Sequence, residues 1–262
     1  MPFRLIAIDL DGTLLDPQHR ISPANAAAVA AAVAGGARVL IATGRMFASA
    51  RPYARALGLR GPQITLNGAI LADPDGDRLH IRARLSPEQL AAAVDLMDAR
   101  EMPYVVFGPN VIYALPGMPH VQILEDYGEP PAVRLAREAL LRVPDPNKVL
   151  TFLGPGPLDA ELIALMGDRF EVMRTSPHFF EFLPPGINKG SALAELMARY
   201  EVPREEVLAI GDGENDISMF GVAGMSVAME GAPAAVKAHA DALTAHCADD
   251  GVALALQRYV LS

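Results

Sequence analysis

The chain has 262 residues, 51% of them hydrophobic, which is enough to bury a sizeable core in one large domain or two modest ones. Its 22 basic and 31 acidic residues give a formal net charge of -9, and the basic ones are scattered, which excludes an electrostatic footprint for DNA or RNA. No apolar stretch is long enough to span a bilayer, no secretory pattern precedes Asp9 and Asp11, and the lone Cys247 excludes an internal disulfide; a soluble cytoplasmic protein with no nucleic-acid or membrane partner is expected.

The first strand is expected over residues 3–8, an apolar, branched run that reads as covered on both faces. It leads straight into Asp9, Leu10, Asp11, Gly12 and Thr13. Ligands bind at the carboxyl ends of such strands in open α/β sheets, which puts Asp9 and Asp11 where chemistry is done. Gly12 permits a sharp turn, and Thr13 offers a hydroxyl and an amide to an anion. Taken alone, these five residues also fit an Asx turn closing a strand. Ser22 and Pro23 begin an Ala-rich helix that runs to Gly35 and Gly36. A second strand over 38–42 ends at Thr43, Gly44 and Arg45, and a third over 63–66 ends at Asn67 and Gly68. Alternating strands and helices predict a doubly wound α/β sheet.

The pattern changes near residue 70. Two short strands at 70–72 and 79–82 flank Pro74, Asp75 and Gly76 and read as a hairpin, after which Ser86, Pro87 and Gln89 form a capping box for a helix to about Arg100. An α+β insert is expected next, with strands at 104–107, 111–115, 149–153, 170–175 and 179–183 and helical stretches at 119–127, 132–142 and 158–168. Pro184, Pro185 and Gly186 close it with a stiff, turning linker. Parallel architecture then resumes with a helix over 189–200 and a strand over 207–210, followed by Gly211, Asp212, Gly213, Glu214, Asn215 and Asp216. Later strands are expected at 225–229 and 242–245.

Four polar clusters thus converge if the strands neighbour one another: Asp9 with Asp11, Thr43 with Gly44 and Arg45, Lys189 with Gly190, and Asp212 with Asn215 and Asp216. Two carboxylates about 4 Å apart repel by about 4 kcal/mol at an effective dielectric of about 20, so such a group needs a cation. All-oxygen ligation points to Mg²⁺. Singly, Thr43 and Arg45 also read as a strand end and a surface cation, and Lys189 as a solvated residue of a first helical turn, where the macrodipole disfavours its charge. The acidic segment from Asp212 lacks the register of a calcium loop, and His178, His239, His246 and Cys247 do not fit a metal spacing. The prolines of Gly154-Pro155-Gly156-Pro157 remove the amides that a phosphate loop requires.

Asp9-Leu10-Asp11-Gly12-Thr13, Thr43-Gly44-Arg45, Lys189 in Asn188-Lys189-Gly190, and Gly211-Asp212-Gly213-Glu214-Asn215-Asp216 resemble, in order, the four motifs of the haloacid dehalogenase superfamily. The insert between the second and third is similar to the large cap of the Cof-like branch, type IIB. The resemblance implies a Rossmann-like core over residues 1–83 and 184–262 and a mobile cap over 84–183. It implies a phosphatase of small phosphorylated metabolites, a monomer or small homo-oligomer, in which Asp9 is the nucleophile and Asp11 the acid and base. Mg²⁺ would be held by Asp9, the carbonyl of Asp11 and Asp212, with Asp216 and Asn215 ordering the ligands. Thr43, Lys189 and the amides near Leu10 and Gly44 would bind the phosphoryl oxygens, with Arg45 and Asn215 beside the substrate. Asn67 is a substrate contact or a turn residue. In the insert, Tyr104, Phe107, Tyr113, His178 and Glu181 are pocket candidates or core. A phosphotransferase or mutase on the same aspartate, and a non-enzymatic phospho-ligand sensor, are the rival readings.

Overall fold

The structure is a computed structural model that describes residues 2–154 and 156–261; Pro155 of the Gly-Pro run lies outside the described residues. The opening apolar run forms β1 (Leu5–Ile8), buried along its whole length. Helix α1 (Pro23–Ala34) begins where expected, with the Ser22 hydroxyl accepting the Asn25 amide at 3.1 Å. Strand β2 (Arg38–Ile41) then pairs in parallel with β1, and α2 (Phe47–Ala56) returns the chain toward β3 (Gln63–Thr65).

Strand β3 differs from the expected third parallel strand. It touches the parallel sheet through one bridge, Ala42 to Ile64, and otherwise pairs antiparallel with β4 (Ile70–Ala72), which pairs with β5 (Leu79–Ile81). Positive φ at Leu66 and Asn67 ends the strand after three residues and folds it back at once.

The insert opens with α3 (Pro87–Ala99), whose capping box forms as the sequence predicts: Ser86 Oγ accepts the Gln89 amide, and Gln89 accepts the Ser86 amide. Then follow β6 (Tyr104–Phe107), β7 (Ile112–Ala114), α4 (Val121–Asp126), β8 (Val133–Arg134), α5 (Arg137–Leu140), β9 (Lys148–Phe152), α6 (Leu158–Met166), β10 (Glu171–Ser176) and β11 (Phe179–Leu183). Their strands form one six-stranded sheet in the order β10-β11-β9-β6-β7-β8. The helix expected over 132–142 shrinks to α5, because Val133 and Arg134 pair with Tyr113 and Ala114 and strand pairing overrides local helix propensity.

The chain returns through α7 (Lys189–Tyr200), β12 (Val207–Gly211), α8 (Ile217–Val222), β13 (Met225–Met229), α9 (Ala234–Lys237), β14 (Ala242–Thr244) and α10 (Gly251–Tyr259). The parallel sheet has the order β14-β13-β12-β1-β2. Helices cover both faces: Val29, Ala32, Val252 and Leu256 pack on Ile6, Ile8 and Ile210, while Leu193, Leu196, Met219 and Phe220 pack on Leu5, Ala7 and Ala209. Burial on both faces is why these strands read as uninterrupted apolar runs. The fold is therefore α/β, a Rossmann-like doubly wound core with an inserted α+β unit. Among the described residues no helix is long and apolar enough to cross a membrane.

Candidate active site

Strands β1 and β12 are neighbours in register, Ile8 beside Ile210, so Asp9 and Asp212 leave the sheet at adjacent strand ends. The Asp9 amide still donates to the Ile210 carbonyl at 2.9 Å, which fixes its position on the sheet. Gly12 makes the next turn at a φ of 77°, and a Cβ there would lie 2.3 Å from Asp212 Oδ2. Thr13 is buried and donates its hydroxyl to Asp212 Oδ1 at 2.7 Å; the acceptor of that hydroxyl is thus a carboxylate of the protein itself.

Lys189 comes from the first turn of α7, which Asn188 caps by accepting the Ser191 amide at 2.8 Å. Its fully buried ammonium donates to Asp9 Oδ1 at 2.5 Å and to Asp216 Oδ1 at 2.6 Å. Asp216 Oδ2 accepts the Asp212 and Gly213 amides at 2.9 and 2.8 Å, so Asp216 ties the acidic loop to the lysine. Asp9, Asp212 and Asp216 each bring a carboxylate oxygen within 4.8 Å of the others. Asp9 and Asp212 line a cavity, and Asp216 stands behind them.

Burial, only partly offset by Lys189, raises the Asp9 pKa well above the carboxylate range, and the charges of Asp216 and Asp212 push it the same way. Asp212 is pushed up to about 6 by burial and by Asp216, against the Thr13 hydrogen bond and Lys189. Burial disfavours the charge on Lys189, yet Asp216 and Asp9 outweigh it and raise its pKa above the ordinary lysine value. One buried cation among three clustered carboxylates leaves an excess of negative charge, and this all-oxygen donor set fits a hard divalent ion.

Thr43 is buried, and its hydroxyl accepts the Arg45 amide at 3.1 Å. The Arg45 guanidinium grips Asp11 with two bonds, Nε to Oδ2 at 2.7 Å and Nη2 to Oδ1, and lies 2.8 Å from His19 Nδ1. The Asp11 side chain thus faces Arg45 instead of joining the acidic cluster. Leu10 has its side chain in the core, which leaves only backbone for a ligand. Asn67 is buried and does not line the cavity: its amide donates to Glu181 Oε2 at 2.9 Å and accepts from Asn215 Nδ2 at 2.9 Å. Gly44 lines the cavity, and its carbonyl accepts from Lys148 Nζ at 3.0 Å.

The insert supplies part of the cavity lining. Phe107 and Glu181 line it, whereas Tyr104 bonds Asp98 Oδ1 at 3.1 Å within the insert, Tyr113 packs on the insert core, and His178 sits against Phe179 outside the lining. The lining residues that carry no sequence expectation include Lys148, Tyr127 and Glu129. Glu129 accepts the Met46 amide at 2.9 Å and the Ser49 hydroxyl at 2.7 Å, which anchors the insert to the start of α2; burial raises its pKa. The one sequence signal for Lys148 is a charged residue opening an apolar strand, a position that ordinarily faces solvent.

A family model described as haloacid dehalogenase-like hydrolase matches residues 6–256. The chain is 31% identical, over 98% of its length, to the 5-amino-6-(5-phospho-D-ribitylamino)uracil phosphatase YcsE of Bacillus subtilis, of which it covers 96%. It is 30% identical over 98% of its length to the chloroplastic endoribonuclease YBEY of Arabidopsis thaliana, but spans only 46% of that protein. The solved structure of the HAD subclass IIB sugar phosphatase BT4131 superposes with a TM-score of 0.87 at 25% identity, covering 99% of this chain and 100% of that one. With three of the four motifs lining one cavity together with residues of the α+β insert, and Lys189 of the remaining motif bonded to Asp9, the chain belongs to the haloacid dehalogenase-like hydrolases, as an enzyme of their Cof-like phosphatase branch.

Proposed function

We propose that the enzyme hydrolyses small phosphomonoesters with Mg²⁺ through an aspartyl phosphate on Asp9. The observation that carries this reading is the buried Lys189 bridge between Asp9 and Asp216 beside Asp212, which aims one carboxylate into a cavity and gives its surroundings a fixed charge pattern. Asp9 attacks phosphorus as the ester P–O bond breaks, and Asp11 gives a proton to the departing alkoxide. Asp11 then takes a proton from the water that attacks phosphorus, and the bond to Asp9 breaks. For this exchange Asp11 must leave Arg45, whose guanidinium is then available to phosphoryl oxygens beside Thr43 and Lys189. Asp9, Asp212 and the Asp11 carbonyl would hold Mg²⁺, with Asp216 and Asn215 ordering the site. The ion supplies charge neutralisation at the transferring phosphoryl group.

The insert, residues 84–183, serves as a cap that excludes water and contacts the leaving group. A panel of phosphate esters assayed with Mg²⁺, measuring both free phosphate and isomerised product, tests the reading. Phosphate release that EDTA stops and Mg²⁺ restores is expected; isomerised ester without phosphate, or indifference to EDTA, overturns it.

A further inference from the structure

The insert side of the cavity limits what the phosphate can be attached to. Its wall is apolar and aromatic, with Phe107, Leu150 and Phe179, around one buried ion pair, Lys148 with Glu181. Lys148 Nζ donates to Glu181 Oε1 at 2.8 Å and to the Gly44 carbonyl at 3.0 Å, and it lies 4.4 Å from the Phe107 ring centroid. Glu181 is saturated in turn, accepting from Thr175 Oγ1 at 3.1 Å and from Asn67 Nδ2 at 2.9 Å. The other lining cation, Arg45, holds Asp11 in this structure and, once Asp11 leaves it, is taken up by the transferring phosphoryl group. Glu129 has only uncharged donors, Met46 N and Ser49 Oγ. Among the described residues that line the cavity, no cation stands without a carboxylate partner.

We infer that the enzyme takes monophosphates of uncharged leaving groups and rejects esters whose leaving group carries a second anion, a carboxylate or another phosphate. This rests on the phosphatase reading above. A phosphoryl dianion at Asp9 claims Lys189 and Arg45. A second anion would then lie against Glu129 and Glu181, among rings that cannot solvate it, unless Lys148 abandoned a buried carboxylate to meet it. A neutral alcohol escapes that penalty: its skeleton packs on the rings, and its hydroxyls reach Thr175 and Ser176 at the cavity edge.

The test compares kcat/KM for glycerol phosphate against phosphoglycerate, and for a hexose monophosphate against its bisphosphate, with Mg²⁺. A preference of about tenfold or more for the singly charged partner in each pair is expected, since placing like charges together costs more than the increment that one decade represents. Glu181→Gln frees Lys148 and should narrow the ratio by raising kcat/KM for phosphoglycerate, whereas Lys148→Met should widen it; the double variant, with neither charge, should fall between them. Equal use of both partners by the wild type, or the same loss on every ester in all three variants, overturns the inference. Release of phosphate from none of the esters overturns the phosphatase reading itself, a result distinct from release without discrimination.

Discussion

Lys189 shows how one side chain can hold the site together. Its ammonium is buried, satisfied by two carboxylates 180 and 27 residues away in the chain, and held charged by them. A lysine whose folded pKa is raised contributes stability that is complete below its ordinary value and is lost only as pH rises through the folded one; near neutrality the contribution is intact. Lys189→Met should therefore leave Asp9 and Asp216 buried without their cation and cost about 3–5 kcal/mol. Urea denaturation at neutral pH measures this, and a loss below about 1 kcal/mol would match a surface residue instead. Lys189 was legible in the sequence because its charge is misplaced at a helix start. Thr13 was legible as a polar residue at a strand end but not in its partner, since Asp212 lies 199 residues away.

At the scale of elements, the parallel strands were legible because burial on both faces leaves unbroken apolar runs, and polar residues at their ends mark the site. What escaped were contacts between elements remote in sequence. Lys148 on β9 meets Gly44 across 104 residues, and Glu129 after α4 meets Met46 across 83, so neither position carries a local pattern. The turn after β1 is tightly constrained, because Gly12 takes a positive φ with its missing Cβ against Asp212. Gly12→Ala should cost about 1–2 kcal/mol from backbone strain and, by displacing Asp212, raise the Mg²⁺ concentration needed for half-maximal activity. A variant with wild-type Mg²⁺ dependence would show that the turn does not position that carboxylate.

Across the whole molecule, charge and stability are linked through the same carboxylates. The Asp212 pKa is raised in the folded protein to about 6, so the folded state binds the extra proton. In metal-free enzyme the stability from this group is complete below about pH 4 and falls as pH rises through about 6, because the unfolded chain then binds fewer protons. Mg²⁺ held by Asp212, as proposed above, would compete with that proton. Added Mg²⁺ should thus raise Tm more at about pH 8 than at about pH 5, and melting curves with EDTA and with Mg²⁺ at both values check the sign. An equal rise at both would separate Asp212 from metal binding. The division between a parallel core and an α+β insert was legible from the change of pattern near residue 70, while the grip of the insert on residues 44–49 required three-dimensional neighbours.

The central claim is that Asp9 carries the phosphoryl group between substrate and water. Rapid mixing of enzyme and Mg²⁺ with an ester labelled in its phosphoryl group, acid quenching within one turnover and peptide mapping would test it most directly. Label bound to the peptide that contains Asp9, absent from Asp9→Asn, is the predicted result. Phosphate release with no labelled peptide at any time, or label on a peptide that lacks Asp9, would contradict it.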